Sequence, residues 1–275
     1  MPSDQALIRS TACAIVDQLN SGEITPLDLL DALETRIAEI DGKTNALPTL
    51  CFDRARTQAK ALMQKPVGER GLLAGLPIPI KDLTNVAGVK TTQGSPIYKD
   101  TIPAHSDIVV ELLESNGGVV YAKSNTPEFG AGAHTFNEVF GATRNPWNTS
   151  RSASGSSGGA AVALATGMAW LAHGTDMGGS LRNPASFCGI VGMRPSIGRV
   201  PHSPAFKIDR NLTVHGPMAR NVEDIALLLD AMSGEHPADP LSLPRLPTSF
   251  LSAARSGKRP KRDRKSTRLN SSHRR

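Results

Sequence analysis

A serine directly behind two glycines, Gly178-Gly179-Ser180 within the run Gly174 to Pro184, stands where the nucleophile of an acyl transfer could sit. Glycines leave backbone N–H groups uncovered, and such groups beside an attacking hydroxyl can hold the oxyanion that forms on a carbonyl. The same run also reads as a tight strand-to-helix turn. A second serine-glycine run, Ser154 to Ala161, lies upstream and continues into Val162, Ala163, Leu164 and Ala165. A Gly/Ser linker stays polar, so this loop is expected to end on a helix N-terminus inside the fold. Helix starts attract phosphate, but the Walker ending and the dinucleotide glycine spacing are both missing here.

A serine nucleophile needs a base. None of His105, His134, His173, His202, His215, His236 and His273 sits in a recognisable motif, and Ser180 lacks the Gly-x-Ser-x-Gly elbow. Lys81 is the other candidate. It follows the alternating Pro and Ile run from Leu76, which reads as a short buried strand. Desolvation disfavours an ammonium and lowers its pKa, so a buried Lys81 can accept a proton near neutral pH. The competing reading is a surface lysine at a strand end, paired with Asp82 in water.

Taken together, the three segments are similar to those of the amidase signature family, the serine amidases with a Ser-cis-Ser-Lys triad. The likeness spans roughly residues 10 to 250. It rests on the glycine-serine block at 154–163, the block GTDMGGSLRNPASFCGIVGMRPSIGRV at 174–200, PIPIKD at 77–82 and TPEFGAGAHTFNEVFGATRNPWN at 126–148. The resemblance implies Ser180 as nucleophile, Ser156 as bridging serine after a cis peptide bond, and Lys81 as base. It implies an oxyanion hole from the N–H groups of Met177, Gly178, Gly179 and Ser180. The reaction implied is hydrolysis of a small carboxamide through an acyl-enzyme, with no metal or organic cofactor. The alternative within the family is the glutamine-hydrolysing subunit of a tRNA-dependent amidotransferase. Partners are then a small amide substrate and either a second copy or amidotransferase subunits, with no membrane and no nucleic acid. Arg182 is expected either to clamp a substrate carboxylate or to bridge to Asp176. Cys188 reads as a buried packer. Ser154 stands where many relatives carry glycine, and Met177 where they carry Thr, Ile or Val.

These groups need a scaffold, and 275 residues at 39% hydrophobic content can bury a sizeable core. Cys13, Cys51 and Cys188 are too scattered for a disulfide framework or a zinc site, which points to a reducing, cytoplasmic compartment. Neither a secretory leader nor a run of about 18 apolar residues is present in the sequence. Residues 1–64 read as helical. Within them, Thr25-Pro26 opens a helix with Leu30, Leu33, Ile37 and Ile40 on one face, ending before Gly42. Strands at 76–80 and 119–122 alternate with helices near 107–114 and 157–166, and Asn221 caps a further helix to Met232. That alternation predicts an α/β fold, a mixed sheet core covered by helices on both faces and incomplete at its C-terminal end.

Residues 255–275 carry ten Lys/Arg and one Asp, so the preceding residues net −3 although the chain nets +6. The expected division is therefore one amidase domain over 1–254 and a basic, disordered tail over 255–275, foreign to the native gene from about Asp263. Polyanion binding by that tail, on an inert fragment, is the non-enzymatic alternative.

Overall fold

The computed structural model describes residues 4–202 and 212–257. Four helices dominate the first 63 residues: α1 (Asp4–Arg9), α2 (Ala12–Ser21), α3 (Pro26–Thr44) and α4 (Phe52–Met63), with the short strand β1 (Thr49–Leu50) between the last two. The sequence then alternates. In order come β2 (Pro77–Lys81), α5 (Ile108–Ser115), β3 (Val119–Ser124), β4 (Phe136–Asn137), β5 (Gly141–Ala142), α6 (Gly158–Ala165) and β6 (Leu171–Asp176). They are followed by α7 (Arg182–Cys188), β7 (Val191–Gly192), β8 (Val214–Ala219), α8 (Val222–Met232) and α9 (Phe250–Arg255).

α3 begins where the sequence puts it. The Thr25 hydroxyl accepts from the Asp28 N–H at 3.3 Å and the Asp28 carboxylate accepts from the Thr25 N–H at 2.8 Å, a reciprocal cap followed by proline in the first turn. It does not stop at Gly42. Asn45 ends it instead, with φ of 55° in the left-handed region, while the Asp41 carboxylate takes the N–H groups of Ala46 (2.6 Å) and Leu47 (3.0 Å). α8 is capped by the Asn221 side chain as expected.

The strands form two three-stranded sheets and a small hairpin. In the first sheet β3 is central, parallel to β2 from Pro77↔Val119 to Lys81↔Ser124 and antiparallel to β1. In the second, β8 lies antiparallel between β6 and β7, with β6 registered from Leu171↔Ala219 to Asp176↔Val214. Every residue of β2, β3, β6 and β8 is buried, so both faces of these strands are covered. α3 and α6 pack on β2, α4 and α5 on β3, and α8 on β6 and β8, giving an α/β fold.

β2 and β6 lie against each other without a shared ladder, and the prolines supply a reason. The Asp82 N–H reaches the Ser124 carbonyl at 3.0 Å, so the N atoms of alternate residues 77, 79 and 81 face away from β3. Two of those three are proline and have no N–H to donate. α6 can press against the end of β3 because its first residues are small. A Cβ on Gly159 would lie 2.3 Å from the Asn125 N and 2.5 Å from the Ala46 O. No helix among the described residues is long and apolar enough to cross a membrane. The basic stretch 255–275 lies outside the described residues beyond Gly257.

Candidate active site

Lys81 ends β2 with no exposed surface. Its Nζ lies 2.7 Å from Ser156 Oγ, 2.9 Å from Ser157 Oγ and 2.9 Å from Thr175 Oγ1. Burial pulls the amine down to about 7, against the opposing pull of Asp176. The reading of a surface lysine paired with Asp82 is overturned. Successive side chains of a strand leave on opposite faces, and Asp82 pairs with the buried Lys123 at 3.3 Å and accepts from the Thr92 hydroxyl at 2.5 Å.

Three hydroxyls around one nitrogen restrict where protons sit. An ammonium offers three donors, which match three accepting oxygens; a neutral amine has two donors and one lone pair. The Ser157 hydroxyl is committed as a donor to the Thr175 carbonyl at 3.2 Å, so it can only accept from Lys81. Ser156, the closest of the three, is then well placed to donate into the lone pair of the neutral amine. The Gly155–Ser156 peptide bond is cis, as the resemblance implied.

Ser180, in the loop after β6, lines the same cavity as Ser156 and Thr175. The strand delivers Thr175 and Asp176, and the chain then turns through residues 177–180 around the Asp176 carboxylate, which is fully buried. That carboxylate accepts from the N–H groups of Gly179 (2.8 Å) and Leu181 (3.2 Å), from Arg182 Nε (3.0 Å) and Nη2 (3.1 Å), and from Arg194 Nη1 (3.1 Å). Burial alone would raise its pKa; the Arg182 and backbone hydrogen bonds outweigh it and hold the carboxyl down to about 2. The serine loops are tied together where the Ser157 N–H donates to the Ser180 carbonyl at 3.2 Å.

Two expectations change here. Gly179 is not available as an oxyanion donor, because a buried carboxylate needs its N–H, leaving Met177, Gly178 and Ser180 of the four expected. Arg182 takes the bridging alternative: the Nε and Nη2 edge of its guanidinium grips the Asp176 carboxylate. Cys188 is fully buried, and burial pushes its thiol up to about 12, as suits a packing residue. Ser154 has φ of 61°, a region that favours glycine, which accounts physically for the glycine expected in relatives.

Ser156, Thr175, Met177, Ser180, Phe129 and His215 help to line one cavity of about 370 Å³. A larger groove, about 510 Å³ between α1, α3 and the end of α6, holds none of these chemical groups. Sequence reasoning does not single out Ser157 or Thr175 as site residues, names Asp176 only as a bridging partner for Arg182, and passes over His173 as one of seven histidines without a motif. Strand alternation is the available signal for two of them, since His173 and Thr175 share the face of β6 turned to Lys81: the His173 Nδ1 accepts from the Lys81 N–H at 3.3 Å.

The chain is similar to known amidases and amidotransferase subunits. The acylamidase of Rhodococcus erythropolis is 38% identical over 257 residues, covering 92% of this chain and 54% of that protein. A glutamyl-tRNA(Gln) amidotransferase subunit from Roseiflexus sp. (strain RS-1) is 41% identical over 224 residues, covering 81% of this chain and 46% of that one. The solved structure of a bacterial aryl acylamidase of the amidase signature family superposes with a TM-score of 0.80 at 34% identity, over 86% of this chain and 50% of the other. The chain thus spans about half the length of the relatives it matches. With the Amidase family profile matching residues 28–264 as well, this chain belongs to the amidase family.

Proposed function

We propose that the chain hydrolyses a carboxylic amide to an acid and ammonia or an amine through a seryl acyl-enzyme, with Ser180 as nucleophile, Ser156 as relay and Lys81 as base. The observation that carries this reading is the 2.7 Å contact between the buried Lys81 Nζ and Ser156 Oγ, on the wall of the cavity that Ser180 also lines.

With the amine held at about 7, roughly half of the sites at neutral pH carry an uncharged Lys81. Its lone pair draws the Ser156 proton, Ser156 draws the Ser180 proton, and Ser180 Oγ forms a bond to the amide carbon. The carbonyl π pair moves onto oxygen, where the N–H groups of Met177, Gly178 and Ser180 receive it; one such donor contributes about 3 kcal/mol in related chemistry. The Lys81 ammonium returns a proton through Ser156 to the departing nitrogen, the C–N bond breaks, and the ester remains on Ser180. Water repeats the sequence, losing its proton along the same path and releasing the acid. Arg182 and Arg194 act through Asp176, which holds the donor loop in shape.

The acylamidase relatives and the small cavity favour a simple amide as substrate. The similarity to the amidotransferase relative supports a second reading, glutamine hydrolysis feeding ammonia to partner subunits. Ammonia release over a panel of amides and glutamine tests both: the first reading expects turnover of simple amides by the chain alone, lost on Ser180→Ala, and the second expects glutamine turnover only with added subunits. Turnover unchanged in Ser180→Ala overturns the triad.

A further inference from the structure

Buried beside the Lys81–Ser156 contact is a pair of histidines that the proposed reaction does not use. His173, on β6 with no exposed surface, accepts from the Lys81 N–H at its Nδ1 (3.3 Å), and its Nε2 lies 2.9 Å from the Nδ1 of His215 on β8. The two rings are tilted at a centroid distance of 5.1 Å, and His215 in turn stacks on His202 at 4.3 Å. His215 and His202 both line the cavity that holds Ser180.

We propose that His173 is a positioning residue for the Lys81 base, and that with His215 it forms a neutral pair of fixed tautomers linking that base to the cavity wall. This rests on the reading of Lys81 as the base. A backbone N–H can only donate, so His173 Nδ1 carries no proton and the ring proton is on Nε2. That Nε2–H donates to His215 Nδ1, which must also be bare, so the His215 proton is on its Nε2. Protonating either ring would set two N–H groups against each other.

The location explains the need. Of the three nitrogens that β2 turns towards β6, Pro77 and Pro79 have no N–H, so the only one able to tie this edge is that of Lys81. The imidazole supplies the acceptor where no strand ladder exists, and so fixes the backbone from which the amine extends. The surroundings keep it uncharged: burial first, then the charge that Lys81 and Lys123 carry when protonated and the neighbouring His202, bring His173 down to about 3.

The test uses the full chain and three measurements. Nitrogen-15 NMR of the histidines between pH 5 and 8 should show His173 and His215 bare at Nδ1, protonated at Nε2 and not titrating; a protonated His173 Nδ1 overturns the proposal whether or not the chain turns over any amide. His173→Leu removes the acceptor and should lower kcat at least tenfold with KM within twofold and move the acidic limb of the pH profile. His173→Asn, whose amide oxygen can stand near the Nδ1 position, should restore most of kcat. A His173→Leu protein with unchanged kcat and pH profile overturns the proposal, and loss of fold in that variant leaves the spectrum and the Asn variant to decide. If the wild-type chain hydrolyses nothing, the function reading fails while the spectrum still judges the pair.

Discussion

A lysine whose amine falls from 10.5 in an open chain to about 7 in the fold must make stability depend on pH, and the sign is fixed. Below pH 7 both states hold the proton. Between 7 and 10.5 the unfolded chain is protonated at this site and the folded chain is not, so the unfolded state binds more protons and stability rises with pH. Each unit contributes about 1.4 kcal/mol, and the full span of about 3.5 units amounts to about 5 kcal/mol. The raised thiols of Cys13, Cys51 and Cys188 act in the opposite direction above pH 9, where an unfolded thiol ionises and a folded one does not. The clean window is therefore pH 7 to 9, and the clean comparison is with Lys81→Met, which leaves every other group in place. Urea unfolding at pH 7, 8 and 9 should show the wild type gaining about 2 kcal/mol relative to Lys81→Met over that window, because the folded amine is still half-protonated at its start. Parallel stability curves for the two proteins would refute the claim that burial holds this amine near neutrality, whatever the enzyme assays report.

Other residues give separate checks. Asp176→Asn weakens the hold on Arg182, Arg194 and the donor loop, and should cost about 2 to 3 kcal/mol in urea unfolding; a loss under about 0.5 kcal/mol argues against the loop being built on that carboxylate. Arg182→Ala should lower kcat/KM by the same factor for substrates with and without a carboxylate, because the guanidinium is bound to Asp176; a selective loss on carboxylate substrates contradicts this. Ser154→Gly should raise stability by about 1 kcal/mol in the same assay, by relieving a left-handed serine, and a destabilised variant would show that the Ser154 hydroxyl bond to the Ala133 carbonyl matters more.

Much of this is legible in the chain. Capping residues announce α3 and α8, and the glycine-serine runs announce loops where Ser156 and Ser180 indeed stand on one cavity. The end of α3 escapes because Gly42 looks like a stop, whereas the helix is closed by Asn45 and the Asp41 carboxylate, a hydrogen-bonding choice that composition does not reveal. Gly179 and Arg182 read, in sequence, by their usual chemistry. What redirects both is the burial of Asp176, a tertiary fact that sequence spacing does not carry. His173 stays one histidine among seven for a similar reason: its partner is a backbone N–H from a strand 92 residues away.

The most direct test is covalent labelling of Ser180 by an aryl sulfonyl fluoride, followed by intact mass and peptide mapping across pH 5 to 9, since it reads nucleophile and base without needing a substrate. The relay predicts a single adduct on Ser180 whose rate rises about tenfold per unit below pH 7 and levels above it, with the reaction lost in Lys81→Met. An adduct on another residue, or a rate on Ser180 indifferent to pH and to Lys81, would contradict it.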